Sequence, residues 1–264
     1  MGDTAAGKPE EAAGPLPSGS AGTPEALGDH PGAAAPGRLG PGRGGGRSWR
    51  LLALVGVVGP LGYLVLVTVL GLLWDGYDPI RDTQSELGAV DSPYRLVMNV
   101  AGFMGVGVSI LAFAAAYHRL LRPSLAKTLA TGLLVVAGVS MVVVGFVPCD
   151  AGCVDVTGTS RLHSVFSMPG AISLPAAAML SALVFRSDGR FTAAWQVVSF
   201  WLGLAALMSG PLIAAELVDG ANGLLQRAGM WPPLLWMMAV SLKLFALARS
   251  ATAADATRMD GTSE

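Results

Sequence analysis

Six apolar runs, separated by short polar stretches, pattern the chain over residues 51–74, 96–117, 128–147, 164–185, 193–215 and 231–248. At helical rise each covers about the 30 Å of a bilayer's hydrocarbon, so each predicts a membrane-spanning helix. Lys243 is the single charged residue inside them, and its stem can snorkel to the nearer interface. Small residues crowd 101–107 (AGFMGVG) and 170–182 (GAISLPAAAMLSA). Close backbone approach drives helix packing in lipid, so the second and fourth spans are expected in the bundle interior. Pro60, Pro169, Pro175 and Pro211 are candidate kinks. The expected fold is all-α: a polytopic membrane protein of six transmembrane helices, arranged as three hairpins.

The flanks lack this pattern. Residues 1–48 hold 13 Gly and 7 Pro with no aromatic residue. Such a segment cannot bury enough surface to offset its ordering entropy, and a disordered tail is expected there. The reading divides the chain into this tail, a transmembrane domain at 49–249 and a short tail at 250–264. The first apolar run has no small-residue cleavage pattern after it, so it reads as a retained span.

Composition agrees. Apolar residues make up 52% and charged residues 13%, too few to coat a soluble surface. Lys and Arg (17) balance Asp and Glu (18), which excludes a basic nucleic-acid binder. With the N-terminus inside, thirteen Lys/Arg fall on cytoplasmic segments, while Arg81, Arg95, Arg161 and Arg227 fall outside. The positive-inside rule therefore places both termini in the cytoplasm of a cell-membrane protein. Nine acids lie on each side, so the near-neutral chain divides into about −5 outside and +4 inside. The basic turns HRLLRPSLAK and RSDGR read as topology determinants that contact anionic lipid. Arg95, Arg161 and Arg227 are spaced 66 residues apart, each near the start of an even-numbered span, as three helical hairpins would produce.

Candidate chemistry collects on the outer side. In the first outer loop, DPIRDTQSELG reads as a short helix capped by Asp78, with Pro79 first and Gly88 as a left-handed stop. Asn99 falls about two turns into the second span and needs a hydrogen-bond partner there. Cys149 and Cys153 are the two cysteines of the chain, both on the oxidising side. A disulfide, a free pair and a metal pair are the alternatives, the last without further cysteine or paired histidine nearby. His163, with Thr159 or Ser160 as cap, falls in the first turn of the fourth span, where the helix N-terminus favours a neutral ring. It reads either as a base or as a hydrogen-bond donor to Asp150, Asp82 or Glu86. Glu216 closes the fifth span, as an ion-pair partner for Arg227 or Arg161 or as an ion or proton site.

Ser85-Glu86-Leu87-Gly88 followed by Pro93 and Asn99, then Phe146-Val147-Pro148-Cys149-Asp150 and His163, resembles the bacterial six-span family labelled domain of unknown function 998. The resemblance covers about residues 50–248 and implies a fold and a membrane address, with no reaction attached. The outward Ser, Asp and His are also similar to those of ceramidase-like zinc hydrolases. This chain departs from that pattern, since one outward histidine cannot build a three-histidine zinc site.

The sequence thus implies no metal and no cofactor, the lipid bilayer as partner, and an acidic cap in which Asp82, Ser85, Glu86, Asn99, Asp150, His163 and Glu216 converge. An accessory or binding role in the envelope leads. Transport of a small solute, ion or lipid through Glu216 and Asn99 is an alternative. So is lipid hydrolysis with His163 as base, Ser85 as nucleophile and Asp150 as orienter.

Overall fold

The computed structural model describes residues 45–214, 218 and 220–260. Residues 1–44 of the expected N-terminal tail, Glu216 and the last four residues lie outside that description; residues 45–48, assigned to the tail by sequence, instead begin the first helix, Gly45–Leu73. Among the described residues all regular structure is helical, and six helices are long and apolar enough to span a membrane. They are Ser48–Leu73, Arg95–Leu120, Leu125–Val144, Gly158–Ser187, Ala193–Ile213 and Asn222–Ser250. The second and fourth bury the largest share of their most apolar stretch, as their small-residue runs require. The last helix continues to Asp260, past the expected end of the domain at 249.

Each span packs on the one before it in the chain, and the sixth closes on the first, making a six-membered ring. The sixth also touches the second and fourth across the ring. Hydrogen bonds tie non-adjacent and adjacent spans alike. The Tyr117 hydroxyl meets Ser181 Oγ at 2.7 Å, and Trp236 Nε1 donates to Ser199 Oγ at 2.9 Å. Glycine sets the closest approaches. A Cβ on Gly203 would lie 2.5 Å from both Pro175 O and Met179 N, so the fourth and fifth spans meet there backbone to backbone.

With an even number of spans, the loops at 74–94 and 145–157 and the start of the sixth span at Asn222 share one end, here the capped end; the start of the first helix and the end of the last lie at the other. At that other end the loops interlock. The Asp188 carboxylate accepts from Arg190 Nε and Arg122 N, and Arg190 Nη2 donates to Leu120 O at 2.8 Å. Burial pushes the Asp188 carboxyl up, but hydrogen bonds from Arg190 and Arg122 outweigh it and hold the group below the usual range. Arg190, expected from sequence at the lipid surface, therefore serves an internal clasp. Lys243 lies over the Phe191 ring, 5.9 Å from its centroid.

Three local expectations are corrected. The first-loop helix spans Gln84–Gly88 as a 3-10 turn, not from Pro79, because Glu86 accepts from both the Thr83 N–H and the Thr83 hydroxyl. Asp78 instead accepts from the Ile80 N–H in a turn. The fourth span begins at Gly158 under Thr157, whose side chain accepts from the Ser160 N–H. His163 is thereby moved into the second turn, away from the helix terminus. Asn99 stands about one turn after Arg95, inside a π-helical stretch at Met98–Met104. Wide turns of this kind are frequent at functional sites.

Candidate functional site

The cap is built from the first loop and sewn to the sixth span. Gly223 N and Leu224 N, unpaired donors at a helix start, give their hydrogens to Arg81 O and Ile80 O. Gly223 is needed for this approach, since a Cβ there would lie 2.2 Å from Asp82 O. Arg227 completes the seam. Its Nη1 donates to Pro79 O, Asp82 O and Gly223 O, and its Nη2 to the Tyr77 hydroxyl at 2.6 Å. Among the described residues no carboxylate pairs with it, so backbone carbonyls disperse its charge. Burial pushes the Tyr77 phenol up, against the opposing pull of Arg227. Arg95 and Arg161 are exposed, so the equal spacing of the three arginines marks no common environment.

The expected constellation separates into independent groups. The Asp82 carboxylate accepts from Asp78 N at 2.7 Å, and Glu86 is held by Thr83. Both acids serve their own loop. Asp150 accepts from Thr157 N, Thr157 Oγ1 and Val156 N. These bonds, led by the Thr157 N–H, hold its carboxyl below the usual range. Cys149 and Cys153 are joined by a disulfide around Asp150, with Gly152 and Cys153 both at positive φ. Cys149 O accepts from Val90 N, joining the two loops. Cys149 Sγ lies 3.6 Å from Ser85 O, a contact without a hydrogen, since a disulfide sulfur carries none.

His163 and Asn99 sit beneath the cap and bond the backbone. His163 Nδ1 lies 2.8 Å from Val147 O; a carbonyl only accepts, so Nδ1 carries the hydrogen and donates. His163 Nε2 is buried without a partner, beside the Phe103 ring. Asn99 Nδ2 donates to Gly88 O at 3.0 Å, and its Oδ1 is likewise unpartnered. Gly88 is required by close approach and not by a left-handed turn, because a Cβ would lie 2.6 Å from Asn99 Oδ1. Neither Asp150, Asp82 nor Glu86 accepts from His163, and the Ser85 hydroxyl is bonded elsewhere. The geometry does not connect a nucleophile, a base and an orienting acid.

What the structure adds is a cleft of about 640 Å³ running from the cap toward the middle of the bundle and touched by all six spans. Its floor is apolar: Ile110, Ala137, Leu174 and Pro175. Ile110 lies fifteen residues into the second span, about 22 Å along a helix. Its side mouth is formed by Met168 and Ile172 of the fourth span and Met208 of the fifth, which are 64%, 50% and 46% exposed. These two spans touch at Gly203, and the mouth lies between that contact and the cap.

Gln84, Ser85 and Gln226 form the head of the cleft. Trp231 Nε1 donates to Gln84 Oε1 at 2.9 Å, and Gln84 N donates to Gln226 Oε1 at 2.6 Å. Gln226 Nε2 in turn donates to Ser85 Oγ at 3.3 Å. Gln84 is 1% exposed, and its Nε2 has no partner. Trp231 lines a second cleft of about 530 Å³, bordered by Gly71, Tyr77 and Arg227, so the Gln84–Trp231 bond stands between the two. Sequence reasoning passed over Gln84, Gln226 and Trp231. The available signals were the Thr83-to-Glu86 spacing of a capped turn, which marks where Gln84 and Ser85 are held, and a glutamine placed just before a loop-facing arginine.

Residues 57–243 match the family model DUF998, described as a protein of unknown function, and the chain belongs to that family. No curated protein and no solved structure matches it. The chain is thus a six-span, multi-pass membrane protein of the DUF998 family.

Proposed function

We propose that this protein has an accessory binding role in the cell envelope, holding one lipid-like molecule in the cleft beneath its cap. The observation that carries this reading is the cleft itself: a volume in the range of small-molecule sites, an apolar floor, and a mouth that faces lipid. Such a cavity admits an apolar tail directly from the bilayer. The excess of Lys and Arg on the opposite end supports an outward cap, so the ligand would come from the outer leaflet. Exposed Arg119, Arg122 and Arg186 support contacts to anionic lipid on the inner face. Hydrolysis draws less support, because Ser85, His163 and Asp150 are bonded to different partners. Ion transport draws less as well, since the floor at Ile110 and Leu174 offers no polar path.

The test is mass spectrometry of the full-length protein released from a mild detergent, compared with Ala171→Trp and Met208→Trp, which fill the mouth from lipid-facing positions. Wild type should carry one apolar molecule per chain, and each variant at least tenfold less at unchanged melting temperature. Equal occupancy in all three proteins, or none in wild type, overturns the reading.

A further inference from the structure

Resting on that reading, we infer that the head of the cleft selects an uncharged amphiphile by a carbonyl oxygen, which accepts hydrogens from the Gln84 amide and the Ser85 hydroxyl. The argument follows donors and acceptors through the head. An indole N–H can only donate, so the Gln84 atom facing Trp231 is its oxygen, which leaves the amide nitrogen as the free end. The Gln84 backbone N–H can only donate too, so Gln226 turns its oxygen there and its nitrogen toward Ser85. Ser85 Oγ then accepts from Gln226 and keeps its own hydrogen to give. Every step fixes the next, and the relay ends on two free hydrogens to give, those of the Gln84 amide and the Ser85 hydroxyl.

Gln84 lines the cleft, is buried, and holds a nitrogen without a partner. A buried donor left unpaired is costly in any protein, and a ligand acceptor would satisfy it. The charge of that acceptor follows from the lining. Among the described residues no Lys, Arg, His, Asp or Glu borders this cleft. Residues 215–217 and 219, outside the description, include Glu216 and Asp219 but no Lys or Arg. Arg227 spends its Nη1 on backbone carbonyls and its Nη2 on Tyr77, and it borders the other cleft. An anionic head drawn into this apolar site would find no cation among the described lining residues, whereas an ester or ketone carbonyl needs only the two donors.

The experiment uses the full chain in phosphatidylcholine nanodiscs, with binding read by native mass spectrometry. The probes are a diacylglycerol, its dialkyl-ether analogue, a long-chain quinone, phosphatidylglycerol, and a hydrocarbon without polar atoms. At least one carbonyl probe should bind tenfold or more tightly than the ether, the hydrocarbon and phosphatidylglycerol; the better of diacylglycerol and quinone identifies the source of the carbonyl. Gln84→Met should abolish that preference and Ser85→Ala should weaken it, with hydrocarbon binding unchanged. The comparison of ester with ether in wild type stands even if Gln84→Met fails to fold. If the ether or phosphatidylglycerol binds as well as both carbonyl probes, the head assignment is wrong while the cleft still binds lipid. If no probe binds and Met208→Trp changes nothing, the binding role itself fails.

Discussion

Arg227 shows how much of this cap depends on one side chain. It gathers the carbonyls of Pro79, Asp82 and Gly223 and the Tyr77 hydroxyl in one planar fork, a geometry that lysine cannot copy. Arg227→Met should leave buried acceptors unbonded at about 1–3 kcal/mol each. A detergent melting curve lowered by several degrees is the expected result. Asp150 makes a different kind of prediction. Its folded carboxyl titrates below the unfolded value, so its contribution is whole above about pH 4 and fades as pH falls through the lowered folded value. Wild type should lose melting temperature over that acid range, and Asp150→Asn should lose less. Both residues were visible in the sequence as charges at loop edges. Their partners were not, because backbone carbonyls and amides accept or donate at every position and leave no compositional mark. The same holds for His163 and Asn99, whose bonds run to Val147 O and Gly88 O instead of to the acids nearby.

At the level of elements, the span pattern was legible because the bilayer imposes a length and a polarity that composition alone records. The second and fourth spans announced their burial by small residues, and the structure agrees. The local starts were less legible. Thr157 and Thr83 act as caps where Thr159, Ser160 and Asp78 were equally good by residue type. A Cβ added at Gly203 would lie within 2.5 Å of two backbone atoms across the interface, so Gly203→Ala must part the fourth and fifth spans. A melting temperature lower by several degrees, together with greater exchange of apolar probes through the mouth, is expected from fluorescence and thermal assays. Gly132, with open space around it, should accept the same change without loss.

For the whole molecule, the split of charge between the two ends predicts orientation. A cysteine introduced at Asp78 should react with an impermeant thiol reagent in intact cells, and one at Ser124 only after lysis. The reverse result would turn the protein over and move the cleft to the inner leaflet. The cleft itself could not be read from the chain, because its lining comes from all six spans and its head from residues more than a hundred positions apart. That distance has a consequence for biosynthesis. The ring closes only when the sixth span meets the first, and the cap is fixed only when Gly223 and Arg227 reach the first loop. Five spans can enter the bilayer and pair in order while Gln84 still lacks both Gln226 and Trp231. The cleft is therefore the last part of the protein to close during synthesis, and a chain cut short before residue 222 is a membrane protein that lacks both the sixth wall of the cleft and the Gln226 of its head.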